Sequence, residues 1–204
     1  LDMKHYPRQG QFDYFCNMAY PYVGMTVNLD ITAFMAYIKK EKLPFYLSML
    51  YAAADTANAI PEFRQRIRGD QIIEFDHCTP SYILALDNGS YCYCSANERL
   101  PFPKYLEDAL YLQEEAKKMT TINEEENAEK LLFFSTIPWA SYTAIVQPVP
   151  TPADSNPRIT WGKYFKTEGR LKIPVTVLAN HALMDGYHIS KFFQELQQRF
   201  DNTD

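Results

Sequence analysis

At 204 residues the chain is long enough for one domain and too short for more than two small ones. Its composition, 47% hydrophobic and 22% charged, is that of a globular chain with an ample core, and a net charge of −5 argues against general nucleic-acid binding. No apolar run is long enough to cross a bilayer, and Leu1 to His5 lacks the apolar core of a signal peptide, so a soluble, cytoplasmic protein with no membrane partner is expected.

In chain order, the first clear signal is alternation. Met25, Val27 and Leu29 alternate with Thr26, Asn28 and Asp30, which predicts a half-buried strand. Ile31, Phe34, Met35 and Ile38 then recur at helical spacing. Pro44 opens a second helix, carrying Leu47, Leu50, Tyr51 and Ala54, and Ile60-Pro61 ends it. Phe63 to Arg68 and Gln71 to Phe75 flank Gly69-Asp70 and read as a hairpin, which places Arg68-Gly69-Asp70 at a turn. Tyr82 to Leu86 and Tyr91 to Cys94 flank Asp87-Asn88-Gly89-Ser90, a strong hairpin signal. Tyr105 to Met119 is an amphipathic helix, and Glu124 to Glu126 reads as a solvated face. Leu131 to Ser135 and Tyr142 to Val146 read as strands, and Pro148, Pro150, Pro152 and Pro157 mark a loop. Arg158 to Phe165 and Leu171 to Ala179 read as paired strands. The cysteines Cys16, Cys78, Cys92 and Cys94 fit no zinc or redox spacing and are expected as reduced thiols in the core. Hairpins mixed with occasional crossover helices predict an α/β two-layer sandwich, a mixed sheet covered by helices, in one domain over residues 1–204.

The most informative stretch comes near the C-terminus. Ile173 to Ala179 is a β-branched run that reads as a buried strand. Ile189, Phe192, Phe193, Leu196 and Phe200 then recur at helical spacing. Between them lies Asn180-His181-Ala182-Leu183-Met184-Asp185-Gly186, so His181 stands where a strand ends and a loop leads into a helix. Such loops are where a rigid scaffold displays working residues. Asp185 or Ser190 is placed to cap the helix, and His188 falls at its start.

His-x-x-x-Asp-Gly between a β-branched strand and an amphipathic helix resembles the signature of the chloramphenicol acetyltransferases, which is shared with the acyltransferase cores of 2-oxo-acid dehydrogenase complexes. Phe134-Ser135-Thr136-Ile137-Pro138-Trp139, Ile159-Thr160-Trp161-Gly162-Lys163-Tyr164 and Tyr6-Pro7-Arg8 carry the likeness along nearly the whole chain. The resemblance implies acetyl-CoA as co-substrate, transfer of an acetyl group to chloramphenicol or a similar small hydroxyl compound, no metal, and a homotrimer with its sites at subunit interfaces. It implies His181 as general base, Ser135 as oxyanion donor, Asp185 paired with Arg8 to hold the His loop, and Thr160 holding an active-site water. It further implies Trp139, Lys163 and Tyr164 beside coenzyme A, and Tyr14, Phe15 and Tyr91 as aromatic residues lining the acceptor pocket.

The chemistry is consistent with those residue types. A histidine with an ordinary pKa of ~6.5 is mostly neutral at pH 7 and can accept a hydroxyl proton. A hydroxyl can stabilise an oxyanion. Each residue also has a plainer reading: Ser135 as a strand-end serine bonded to backbone, Lys163 as a solvated lysine, Tyr14, Phe15 and Tyr91 as core. Two departures stand out: Asn180 occupies a position where the family commonly has histidine, and the segment from Pro148 to Pro157 is unusually rich in proline. Two other functions stay open, an acyltransferase for a different small acceptor and a non-catalytic protein that binds a drug or acyl-CoA.

Overall fold

A computed structural model describes residues 1–86, 88–118 and 127–202. The chain opens with a short 3-10 turn and helix α1 (Gln9–Cys16), followed by strand β1 (Tyr22–Asp30) and helices α2 (Thr32–Lys40) and α3 (Phe45–Ala59). The hairpin β2 (Gln65–Arg68) and β3 (Gln71–Glu74) leads into β4 (Thr79–Ala85), β5 (Tyr91–Ser95) and helix α4 (Phe102–Lys117). Strands β6 (Leu131–Ile137), β7 (Arg158–Gly162), β8 (Phe165–Thr167) and β9 (Arg170–Asn180) and helix α5 (Gly186–Asp201) complete it.

The main sheet runs β1-β9-β7-β6-β4-β5, with β8 also on β9; β2 and β3 pair apart from it. β4, β6 and β7 are parallel neighbours and the other pairings are antiparallel, so the sheet is mixed. Parallel neighbours cannot be joined by a tight turn, and α4 lies in the connection from β5 back to β6.

β9 lies inside the sheet, between β1 and β7, which explains its unbroken apolar character. Ile173, Val175, Val177 and Ala179 share one face and are fully buried in the core. α5 lays Ile189, Phe192, Leu196 and Phe200 into that core; Phe192 stacks on Phe63 at 5.2 Å and Phe200 meets Phe34 at 4.8 Å. Burial of side chains of this size contributes roughly 1.5–3 kcal/mol each. On the opposite face of β9, Thr176 and Leu178 are also nearly covered.

Cover on that opposite face comes in part from the loop before β7, and here the sequence reading needs correction. Tyr142 to Val146 forms no strand: it is irregular backbone. Its residues suit a strand, but side chains anchor it instead of a ladder. Tyr142 Oη donates to the Thr160 carbonyl at 2.9 Å, and Ser141 Oγ donates to the Lys163 carbonyl at 2.6 Å. Pro148 and Pro150 behind it supply no backbone N–H. Gly162 permits this close pass, since a Cβ there would lie 2.8 Å from the Ala140 carbonyl oxygen and 2.9 Å from the Tyr142 ring.

Three smaller differences follow. The strand expected from Arg158 to Phe165 breaks at Lys163-Tyr164 into β7 and β8. Helix α1, unread in the sequence, has a single buried residue, Phe12, and hence little apolar periodicity. Cys78, Cys92 and Cys94 are buried and form no disulfide, but Cys16 is exposed. Asp87, Met119 and Glu124 to Glu126 lie outside the described residues.

Candidate active site

The end of β9 builds the His181 loop. Backbone N–H groups of Leu183 and Met184 both turn back to the Asn180 carbonyl, at 3.1 and 3.0 Å. Asn180 serves the turn twice more: its Oδ1 accepts from the Ala182 N–H at 3.0 Å, and its Nδ2 donates to the Asp154 carbonyl at 3.0 Å. The His181 N–H donates to the Pro21 carbonyl at 2.8 Å. His181 Nδ1 lies 2.9 Å from the Met184 carbonyl oxygen. A carbonyl can only accept, so this bond requires the proton on Nδ1 and leaves the Nε2 lone pair uncommitted in the neutral ring. The Phe15 ring stacks on the imidazole at 3.8 Å with 13° between planes.

Asp185 caps α5, its Oδ1 accepting from the Tyr187 N–H at 3.0 Å and lying 2.8 Å from His188 Nδ1. Ser190 takes no part in the cap. The other oxygen, Oδ2, accepts from Arg8 Nη1 across 177 residues of sequence. Partial burial would raise the Asp185 pKa, but the Arg8 hydrogen bond and charge, with His188 behind them, prevail and hold it at about 2. Arg8 is the residue immediately before α1. The ion pair therefore docks the helix that carries Phe15 onto His181.

A second group lies on the sheet face away from the helices. Strand register aligns Ser135 with Thr160, Thr160 with Thr176, and Thr176 with Thr26, a row of hydroxyls across β6, β7, β9 and β1. Ser135 Oγ and Thr160 Oγ1 are 2.7 Å apart, as are Thr26 Oγ1 and Thr176 Oγ1. Tyr142 Oη accepts from Thr176 at 3.2 Å, joining the two pairs. Gln147 Nε2 also donates to Thr160 Oγ1. Ser135, Thr160 and Gln147 line a cavity of about 480 Å³, with Phe133, Tyr93 and Arg158 among its other walls. Arg158 makes two bonds to Asp154, at 2.9 and 2.7 Å, and lies over the Tyr22 and Phe133 rings. Tyr22 donates to Asp154 at 2.9 Å; burial first, and then the Asp154 charge, push its pKa up to about 12, so it stays a donor.

The structure brings together Arg8 with Asp185, Phe15 with His181, and Ser135 with Thr160. It does not bring His181 to Ser135. His181 lies five residues beyond Thr176, which is two strands from Ser135; at ~3.3 Å per residue and ~4.8 Å per strand they are on the order of 19 Å apart. No single hydroxyl acceptor could touch both. Trp139 (81% exposed), Lys163 and Tyr164 share one surface region, with the Lys163 N–H bonded to the Ala140 carbonyl at 2.9 Å and Tyr164 against Phe45. Tyr14 is exposed and meets Phe15 edge-on at 5.1 Å. Tyr91 is exposed on β5, two residues from the cavity-lining Tyr93. Gln147, Tyr142, Asp154 and Arg158 were not singled out from sequence; each acts through a partner that only folding brings near. Among the described residues, no group of three or more His, Cys, Asp or Glu is placed to hold a metal ion, and no helix is long and apolar enough to cross a membrane.

Comparison with known proteins matches residues 1–197 to the family model described as chloramphenicol acetyltransferase. A chloramphenicol acetyltransferase of Clostridium butyricum is 30% identical over 213 residues, covering 97% of this chain and 92% of that protein. One from Clostridium perfringens is 29% identical over 209 residues, covering 99% and 94%. A solved chloramphenicol acetyltransferase structure superposes with a TM-score of 0.84 at 22% identity, over 97% of both chains.

Proposed function

The chain belongs to the chloramphenicol acetyltransferase family and is an acyltransferase, and from that premise we propose that it moves the acetyl group of acetyl-CoA to the hydroxyl of chloramphenicol or a similar small compound. Residues 1–204 act as one catalytic domain. The observation that carries this reading is the His181 geometry: Nδ1 is committed to the Met184 carbonyl, and Nε2 is left as the base.

In this mechanism His181 Nε2 takes the proton of the acceptor hydroxyl while the oxygen attacks the thioester carbonyl carbon. The carbonyl oxygen becomes an oxyanion and receives a hydrogen bond from Ser135. Collapse of the tetrahedral intermediate restores the carbonyl, breaks the carbon–sulfur bond, and releases coenzyme A, whose thiolate recovers the proton from the imidazolium. The Phe15 stack and the Met184 carbonyl hold the ring in one orientation, which saves the entropy of finding it. Trp139, Lys163 and Tyr164 lie on the surface that would meet coenzyme A, and Tyr14 and Tyr91 would border the acceptor.

The wide separation of His181 and Ser135 in one chain favours a homotrimer. Each site would then take its base from one subunit and its hydroxyl-lined cavity from the next, and a cyclic trimer closes such head-to-tail contacts. The function is tested by incubating the protein with acetyl-CoA and chloramphenicol and following free thiol. Release supports the reading. Release with other hydroxyl compounds but not with chloramphenicol moves the acceptor elsewhere, and binding of both substrates without release removes the enzymatic assignment.

A further inference from the structure

We infer that Gln147 is a positioning residue that sets the direction of the hydrogen bond between Thr160 and Ser135, and through it aims the Ser135 proton at the oxyanion. The inference rests on the reading of Ser135 as oxyanion donor. Thr160 is fully buried, and its hydroxyl contacts two side-chain groups, Gln147 Nε2 and Ser135 Oγ. Gln147 turns its Nε2 toward Thr160, with its Oε1 buried on the other side and unpartnered among the described residues; in that orientation the amide NH2 can only donate, and Thr160 Oγ1 accepts from it. The Thr160 proton then needs an acceptor, because a buried hydroxyl left without one is costly. Among the described residues, Ser135 Oγ is the side-chain acceptor in reach. Thr160 therefore donates to Ser135.

Ser135 is less buried than Thr160 and lines the cavity. With its oxygen accepting from Thr160, its own proton has no claim within the strand pair and is free to point into that cavity. Successive bonds of this kind polarise one another, so a chain from amide to Thr160 to Ser135 makes the last O–H a stronger donor. Gln147 is held in place by the irregular segment that Tyr142 clamps to β7 and β9. A regular strand there would not need that clamp. The segment thus acts in catalysis through a single side chain.

The test is Gln147→Glu beside Gln147→Met and Ser135→Ala, with kcat, both KM values and the denaturation midpoint for each. A carboxylate only accepts, so at pH 8 Gln147→Glu draws the Thr160 proton toward itself and Ser135 must donate to Thr160. Loss of an oxyanion donor typically lowers kcat ~10²- to 10³-fold, and misdirecting one is expected to cost about 10- to 100-fold with both KM values within about twofold. Because a protonated carboxyl regains a donor, the ratio of variant to wild-type kcat should rise as pH falls. Gln147→Met, of similar length and without the N–H, should lower kcat at every pH. A Gln147→Glu enzyme with wild-type kcat at pH 8, while Ser135→Ala is impaired, would overturn the inference and leave Ser135 in the mechanism. A loss that does not vary with pH and tracks a lowered midpoint would also overturn it, by reducing Gln147 to a structural part. Near-normal kcat in Ser135→Ala would remove the oxyanion reading and this inference with it.

Discussion

His181 and Ser135 would be asked for different things by the chemistry, and substitution should separate them. A base is needed only when the proton moves. His181→Ala should therefore lose roughly 10²- to 10⁴-fold in kcat while acetyl-CoA binding by calorimetry stays near wild type. Turnover near wild type in that variant would exclude His181 as the base. The Ser135 hydroxyl would meet an oxyanion that exists only around the transition state, so Ser135→Ala should lower kcat ~10²- to 10³-fold with little change in either KM. If Ser135 merely ties β6 to β7, the result inverts. The denaturation midpoint would drop, by about 0.5–1.5 kcal/mol of stability for one hydrogen bond, and kcat per folded site would be normal.

At the scale of elements, two contacts hold the working loops. The first is Arg8 with Asp185, which joins the start of α1 to the start of α5. The folded pKa of about 2 lies below the ordinary value of 3.8. The pair's contribution is accordingly complete above that ordinary value and is lost as pH falls through the folded one. Asp185→Asn keeps an oxygen for the helix cap but loses the charge. Its denaturation midpoint should fall below wild type at pH 7, and the gap should hold down to about pH 4 and narrow from there to about pH 2. A gap independent of pH would show that the cap, and not the charge, carries the effect. In a double-mutant cycle, Arg8→Ala and Asp185→Ala should be less than additive; full additivity would show that they do not interact. The second contact is the pass of the Tyr142 segment over Gly162. Gly162→Ala places a methyl group against the Ala140 carbonyl and should cost about 1–3 kcal/mol by chemical denaturation. Unchanged stability would mean that the segment is free to move away.

For the whole molecule, the separation of His181 from Ser135 would make assembly part of the proposed mechanism. Inactive His181→Ala and Ser135→Ala proteins, denatured together and refolded in equal amounts, should form mixed trimers. An interface at which an intact His181 faces an intact Ser135 recurs in about a quarter of sites, so about a quarter of wild-type activity should return. No recovery, together with a monomer by light scattering, would place the whole reaction within one chain and remove the shared site. The exposed apolar side chains of Trp139, Tyr14 and Val146 are the surfaces such an assembly could cover.

The sequence by itself determined the strand, loop and helix around His181, because β-branched alternation and helical periodicity are local signals. It also determined most of the remaining elements and, by its motifs, the family, and it narrowed the cap of α5 to Asp185 or Ser190, of which the structure uses Asp185. It misread Tyr142 to Val146, because strand-forming residues held by side chains look like a strand. It missed α1, whose single buried residue leaves no stripe to detect. The Arg8–Asp185 pair was expected from family likeness alone, since nothing local links residues 177 apart. Only the tertiary structure decided the rest. The tautomer of His181 depends on the carbonyl of Met184, and the hydroxyl row depends on the register of four strands far apart in sequence. Gln147 meets Thr160 because of a clamp made by a third residue. Local pattern reports which face a residue shows to the core, whereas the partners it meets across the sheet are set by strand order and register, which no short stretch of sequence encodes.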